Sequence, residues 1–313
     1  MDGKKPLIII GGATGVGKTE LSVRLAKKLN GQIISADSMQ VYKGFDIGTA
    51  KITPAEMQGV AHYMIDELSW DESFNIYEFK QRSEKYIQKI LSEGSVPIIV
   101  GGTGFYIQAV LYDVEFEPEG ADKAYRAALE REAAEKGAEY MHSRLAAVDP
   151  ESAAAIHPNN VKRVIRALEY FNETGQKISV HNSEQQKKPS PYDFTYFVLN
   201  RERSTIYERI NRRVDQMIED GLEEEVKQLL ASGVSAGSSP MQGLGYKEMA
   251  EHILNGIPIE DTIYNIKMNT RHFAKRQITW FKRETDAIWL NYEDHASADE
   301  MLDAMIKIIR KEV

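Results

Sequence analysis

Residues 11–22 read GGATGVGKTELS, between the apolar run Leu7–Ile10 and a helical pattern carried by Leu21, Val23, Leu25 and Ala26. Strand, glycine loop and helix therefore arrive in the order that builds a phosphate cradle. Gly12, Gly17, Lys18 and Thr19 satisfy the spacing G-x-x-x-x-G-K-T. In that pattern the loop N–H groups point at phosphate oxygens, the lysine neutralises charge and the threonine hydroxyl sits on Mg2+. Gly12, Ala13, Thr14, Gly15, Val16, Gly17, Lys18 and Thr19 are thus the expected phosphate-binding loop, with Thr19 as ligand of an Mg2+ cofactor.

Working outward, apolar runs at Leu7–Ile10, 32–35 and 96–100 alternate with helical patterns, the last around 76–91. Such alternation predicts an α/β fold, a P-loop NTPase-like parallel sheet flanked by helices. From about residue 114 the strand signals vanish. Residues 125–175 read as three helices broken at Asp149-Pro150 and His157-Pro158, and the polar run 182–191 reads as a linker. The strand pattern returns at 194–200 and, after two long helices, at 287–292. The expected division is 1–113 for the first part of the core, 114–190 for a helical insertion domain and 191–313 for the resumed core with basic C-terminal helices.

With 313 residues, 42% hydrophobic and 27% charged, the chain has the composition of a globular protein large enough for two domains. No apolar run approaches the roughly 20 residues needed to cross a bilayer, so no membrane partner is expected. Lys4, Lys5 and Pro6 lead straight into the strand and glycine loop, unlike a secretory signal, and a cytoplasmic monomer is the expectation. The absence of cysteine excludes disulfides, thiolate catalysis and cysteine-ligated zinc. A net charge of −8 argues against nucleic acid, but charge placement argues the other way. Lys162, Arg163 and Arg166 share one predicted helix. Lys267, Arg271 and Lys275 recur every four residues on another, with Arg276, Lys282 and Arg283 adjoining. Each cluster reads either as a lining for a phosphate backbone or as a solvated face.

A glycine loop of this type ordinarily serves a nucleotide, which makes a kinase the default. Such enzymes usually carry an acidic Mg2+ ligand at the end of a second apolar strand. Here the run VPIIV, 96–100, ends in Gly101, Gly102, Thr103 and Gly104, glycines expected to leave room for reacting groups. The run QIIS, 32–35, leads to Asp37 instead, which reads as a metal ligand, a general base or the cap of the following turn.

Six ordered stretches, GGATGVGKTELS, IISADSMQVYKGFDIGTAK, HYMID, PIIVGGTGFYIQAVL, RINRRVDQMIEDGLEEEV and RHFAKRQITWFKR, resemble the successive motifs of bacterial tRNA dimethylallyltransferases over nearly the whole chain. The resemblance implies transfer of a prenyl group from dimethylallyl diphosphate to N6 of the adenosine 3′ of the anticodon in the tRNA anticodon stem-loop. The loop would then hold a diphosphate leaving group. Asp37 fits the base that takes the N6 proton. The resemblance also puts Thr103 near the leaving oxygen and Arg213 on the diphosphate. On residues alone they read as a turn hydroxyl and a solvated helix face. Family tRNA contacts match Asp37, Ser38, Met39, Gln40, Arg126, the run Lys162, Arg163, Val164, Ile165, Arg166, and Gly245, Tyr246, Lys247, with Tyr246 either stacking on a base or packing in the core. Arg271 and Lys275 would add to the RNA face, while Glu115, Glu117, Glu119, Glu130, Glu132, Glu135 and Glu139 would face away from it. A nucleotide or small-molecule kinase, an adenylate isopentenyltransferase acting on free nucleotides and a non-catalytic RNA-binding module are the alternatives.

Overall fold

A computed structural model of the chain describes residues 4–115, 123–185 and 188–312. Glu117 and Glu119 lie outside the described residues. The chain divides into two compact units, Met1–Val110 with Tyr192–Val313, and Leu111–Pro191.

The first unit is built on six parallel strands, β1 (Lys5–Gly12), β2 (Gly31–Ala36), β3 (His62–Tyr63), β4 (Val96–Gly101), β5 (Tyr192–Asn200) and β6 (Ile288–Asn291), in the order β3-β2-β4-β1-β5-β6. Their apolar residues run without alternation because helices cover both faces of a parallel sheet. Ile9 and Ile10 are fully enclosed, and each such side chain contributes about 1.5–3 kcal/mol by leaving water. The register pairs Ile8 with Ile98 and Ile10 with Val100 on one side of β1, and Ile10 with Phe197 on the other. Around the first half of the sheet lie α1 (Lys18–Leu29), the single turn α2 (Pro54–Met57), α3 (Ile76–Ser92) and α4 (Gly104–Leu111). Asn75 starts α3 by accepting the N–H of Glu78 at 3.0 Å.

Among the described residues the second unit is helical: α5 (Lys123–Val148), α6 (Pro150–Ala155), α7 (Val161–Thr174) and α8 (Ile178–Gln185). Two features depart from the sequence reading. Gly137 adopts a φ of 82° and kinks α5, and residues 178–185, read in part as linker, form α8. The latter depends on Asp149. Its buried carboxylate accepts the N–H and Oγ of Ser152, capping α6, and the N–H and Oγ of Ser179, holding the start of α8. Burial alone would raise its pKa, but these four donors outweigh it and hold the group below the usual carboxylate range.

Four helices, not two, fill the span between β5 and β6: α9 (Arg203–Glu219), α10 (Leu222–Ala231), α11 (Tyr246–Asn255) and α12 (Ile259–Phe281), with α13 (Ala298–Ile309) closing the chain. Gly221, with φ 96°, separates α9 from α10. Among the described residues no helix is long and apolar enough to cross a membrane.

Candidate functional site: the carboxyl edge of the sheet

Because all six strands are parallel, the segments leaving β1, β2, β4, β5 and β6 emerge along one edge, where open α/β sheets bind ligands. The loop after β1 is central, flanked by the ends of β4 and β5. Gly12 has φ 143°, and a Cβ there would meet the Leu199 carbonyl oxygen at 2.6 Å, so only glycine brings the loop this close to β5. Ala13 and Val16 are buried, which leaves their backbones as what they can offer a ligand.

Lys18 Nζ donates to the carbonyls of Gly12 at 2.8 Å and Ala13 at 2.9 Å, two neutral acceptors. Burial pushes its pKa down to about 7, helped by the positive charge of Arg213 and opposed by the carboxylate of Asp37. Arg213, from α9, donates Nη1 to Thr14 Oγ1 at 3.0 Å, and its own pKa is lowered chiefly by burial. Arg213 is therefore a half-buried neighbour of the loop and not a solvated helix face.

Sequence reasoning missed two more cations and an aromatic residue. Arg209 Nε donates to the Gly15 carbonyl at 2.7 Å, and Arg201 Nε to that of Val16 at 3.0 Å. The Arg201 guanidinium lies 3.4 Å from the centroid of the Tyr292 ring, whose hydroxyl donates to the Gly17 carbonyl at 3.2 Å. Arg209 could have been found from its spacing of four before Arg213, and Arg201 from its place at the very end of β5. Nothing local marked Tyr292. Thr19, at the start of α1, is exposed, and its hydroxyl makes no hydrogen bond among the described residues.

Asp37 follows β2 directly. Its Oδ1 accepts the N–H of Met39 at 2.8 Å and that of Gln40 at 3.3 Å, so the capping role is real for one oxygen. The other oxygen has no hydrogen-bond partner among the described residues. Thr103 sits beside this turn, its N–H on the Ala36 carbonyl at 3.4 Å and its own carbonyl starting α4 through the N–H of Tyr106. The glycines around Thr103 do not open space for reacting groups. A Cβ on Gly102 would meet Gln277 Nε2 at 2.1 Å, and one on Gly104 would meet the Trp280 ring at 2.1 Å, so α12 fills that room.

The turn at Asp37–Gln40 is held from one side. Gln40 Nε2 reaches the carbonyls of Thr49 at 3.2 Å and Ala50 at 3.4 Å, and Met39 lies beside Gly243. Tyr246 is 1% exposed, with its ring 5.0 Å from that of Phe45. Its hydroxyl donates to Glu225 at 2.6 Å and accepts the N–H of Gly48 at 3.1 Å, and burial raises its pKa. The base-stacking expectation for Tyr246 is therefore corrected to core packing; Gly245 starts α11, and Lys247 beside them is exposed. On α12 the basic face is partly engaged by α9: Lys267 pairs with Asp215 at 2.5 Å and Arg271 donates to Asn211 at 2.7 Å, whereas Lys275 is exposed.

In the helical unit, Lys162 and Arg163 are exposed and Arg166 half-buried, but Val164 and Ile165 pack with Leu129, Met141 and Leu145. The side chains of Val164 and Ile165 thus pack in the core of this unit, Ile165 also reaching the wall of a cavity. A cavity of about 470 Å³ is lined by Arg126, Glu130, Ala133, Val161, Lys162 and Ile165. Arg126 pairs with Glu130 at 3.3 Å and with buried Glu169 at 3.7 Å. Glu130 therefore shares the groove of Arg126 and Lys162 and does not face away from it.

The model of the IPP transferase family matches residues 40–284. The tRNA dimethylallyltransferase of Lachnoclostridium phytofermentans is 54% identical over 305 residues, 97% of each chain. That of Bacillus cytotoxicus is 48% identical over 299 residues, 96% of this chain and 94% of the relative. Among solved structures, a tRNA isopentenylpyrophosphate transferase from Staphylococcus epidermidis is 47% identical with a TM-score of 0.73, covering 98% of this chain and all of that one. A eukaryotic dimethylallyltransferase acting on tRNA is 30% identical with a TM-score of 0.83, covering 98% of this chain and 80% of its own. The chain belongs to the IPP transferase family.

Proposed function

We propose that the chain transfers a dimethylallyl group from dimethylallyl diphosphate to N6 of the adenosine 3′ of the anticodon in tRNA, releasing diphosphate. The observation that carries this reading is the set of cations on the loop after β1. Lys18, Arg201, Arg209 and Arg213 all rest on neutral oxygens of residues 12–16, and the two strands beside β1 end in Gly101-Gly102-Thr103 and Asn200-Arg201, without a carboxylate. Such a set suits a compact anion, and growing charge on a leaving diphosphate is what it would stabilise.

In the reaction, the bond between the allylic carbon and the diphosphate oxygen breaks as a bond forms from N6 to that carbon. The loop N–H groups, Lys18 and Arg213 hold the departing diphosphate. Asp37, through the oxygen that does not cap its turn, takes the proton released from N6. Thr103, at the neighbouring strand end, donates to the leaving oxygen. The exposed Thr19 hydroxyl at the start of α1 would hold Mg2+, which when bound would supply further positive charge to the diphosphate. The adenosine reaches Asp37 only if it leaves its stack, as bases do for other modifying enzymes. Arg126, Lys162, Arg163, Arg166, Arg271 and Lys275 contribute charge toward the RNA, and the protein works as a cytoplasmic monomer.

Incubation with unmodified tRNA, Mg2+ and dimethylallyl diphosphate, without ATP, should yield one diphosphate per prenylated adenosine, read by phosphate assay and nucleoside mass spectrometry. A requirement for ATP, or a phosphorylated product, would instead mark a kinase. Equal use of free AMP in place of tRNA would mark an enzyme of free nucleotides.

A further inference from the structure

Between β1 and β4 the backbone ladder ends at the pair Gly11 and Gly101. Beyond it, the phosphate loop and the Thr103 turn are no longer held together by the sheet, although their separation decides whether a donor at Thr103 meets an oxygen held by the loop. One buried side chain spans that gap. Gln277, 7% exposed on α12, accepts the N–H of Thr14 with Oε1 at 2.9 Å and donates Nε2 to the Gly102 carbonyl at 3.0 Å. A carboxamide carries a donor and an acceptor on one rigid plane, and no apolar side chain of similar volume can make both bonds.

The surroundings are fitted to this bridge. Gly102 has no room for a Cβ because Gln277 Nε2 would lie 2.1 Å from it. The adjacent α12 residues crowd the two neighbouring glycines in the same way, Trp280 against Gly104 at 2.1 Å and Phe281 against Gly11 at 2.7 Å. One face of α12 thus rests on glycines from both strand ends, with Gln277 as the hydrogen-bonding member of that contact.

We propose that Gln277 is a positioning residue that sets the spacing between the diphosphate loop and Thr103. It acts through the Thr14 N–H and the Gly102 carbonyl and touches neither substrate. The part assigned to Thr103 rests on the reaction proposed above; the bridge itself does not.

The test uses the full chain with Mg2+, unmodified tRNA and dimethylallyl diphosphate. Gln277→Met keeps nearly the same volume and removes both hydrogen bonds. KM for tRNA should stay within about twofold, KM for the prenyl donor should rise, and the single-turnover rate should fall roughly 10- to 100-fold, the scale expected when reacting groups shift by about 1 Å. Gln277→Ala removes bridge and packing together. Adding Gly102→Ala returns a methyl group to the vacated volume, so the double variant should regain thermal midpoint relative to Gln277→Ala and stay slow. Affinity for inorganic diphosphate with Mg2+, measured by calorimetry, should fall in every Gln277 variant, and this readout needs no prenyl transfer. Wild-type protein that binds diphosphate yet prenylates nothing refutes the proposed reaction and leaves the bridge to be judged on that affinity. Wild-type rate, donor KM and diphosphate affinity in Gln277→Met overturn the proposal. So does a double variant whose rate recovers along with its thermal midpoint, which would reduce Gln277 to packing. If Gln277→Met does not fold, the double variant decides on the same criteria.

Discussion

At the carboxyl edge of the sheet, Lys18 and Arg213 lean on carbonyl and hydroxyl oxygens; in the helical unit, Arg126 leans on the carboxylates of Glu130 and Glu169. Both sets of cations were candidates for phosphate contact, yet their electrostatic situations differ. Burial offset only by the nearby Asp37 carboxylate, with no carboxylate bonded directly to Lys18 or Arg213, keeps these cations costly until an anion arrives, so such a site gains much from one compact anion. An exposed cation already paired to carboxylate gains little from any single phosphate and contributes to binding mainly as one of many screened charges. The sheet edge is thus suited to a diphosphate and the helical unit to a long polyanion.

That contrast can be broken most sharply at Lys18. Lys18→Ala should lower kcat/KM for the prenyl donor on the order of 10³-fold, at the upper end of what one anion-stabilising donor contributes, with tRNA affinity unchanged in a binding assay. If tRNA affinity falls instead, the loop is an RNA contact and the comparison collapses. Asp37→Asn keeps the turn's acceptor oxygen but removes the base. Single-turnover transfer should drop on the order of 10²-fold or more, again without loss of tRNA affinity.

The pH dependence follows from Lys18. Its pKa stands at about 7, and a bound diphosphate would raise it toward its ordinary value, so donor affinity is full below about pH 7 and falls by up to tenfold per pH unit above it. Calorimetry at pH 8 in buffers of different ionisation enthalpy should register proton uptake on binding inorganic diphosphate. The same depression has a stability consequence of defined sign. Between about 7 and the ordinary lysine value of 10.5 the unfolded chain carries the proton and the folded one does not, so this group's contribution to stability rises with pH across that window. Lys18→Met should remove both effects.

The smallest change is expected in the helical unit. Arg126→Ala and Lys162→Ala should each weaken tRNA binding only a few-fold and flatten the slope of log affinity against log salt by about 0.7 to 0.9 for each phosphate no longer neutralised. A loss of 10²-fold from either would show that the Arg126 groove binds one phosphate specifically, and the distinction from the sheet edge would then fail.

The phosphate loop was legible because its chemistry is local: eight consecutive residues supply the N–H groups, the lysine and the hydroxyl, and the strand and helix around them are visible in hydrophobic spacing. Asp37 was legible as a strand-end carboxylate, although a single sequence could not separate base from cap, and the structure gives one oxygen to the cap. Gln277 was not legible. Its partners lie 263 and 175 residues away in sequence, and an isolated glutamine on a basic helix carries no signal for either. Tyr246 and the pair Val164 and Ile165 misled for a related reason. A family contact carried by a stretch does not say which of its side chains turns outward, and here these three are needed by the core.

The amino-acid sequence by itself determined the α/β class, the glycine loop after the first strand and the family to which the chain belongs, because each is written in neighbouring residues or in ordered motifs. Tertiary structure alone decided that Arg201 and Arg209 join Arg213 at that loop, and that the glycines around Thr103 receive the side chains of α12. Those outcomes depend on the packing of α9 and α12 against the sheet edge. Such packing buries charge and fixes distances between residues far apart in the chain, and no local pattern encodes either.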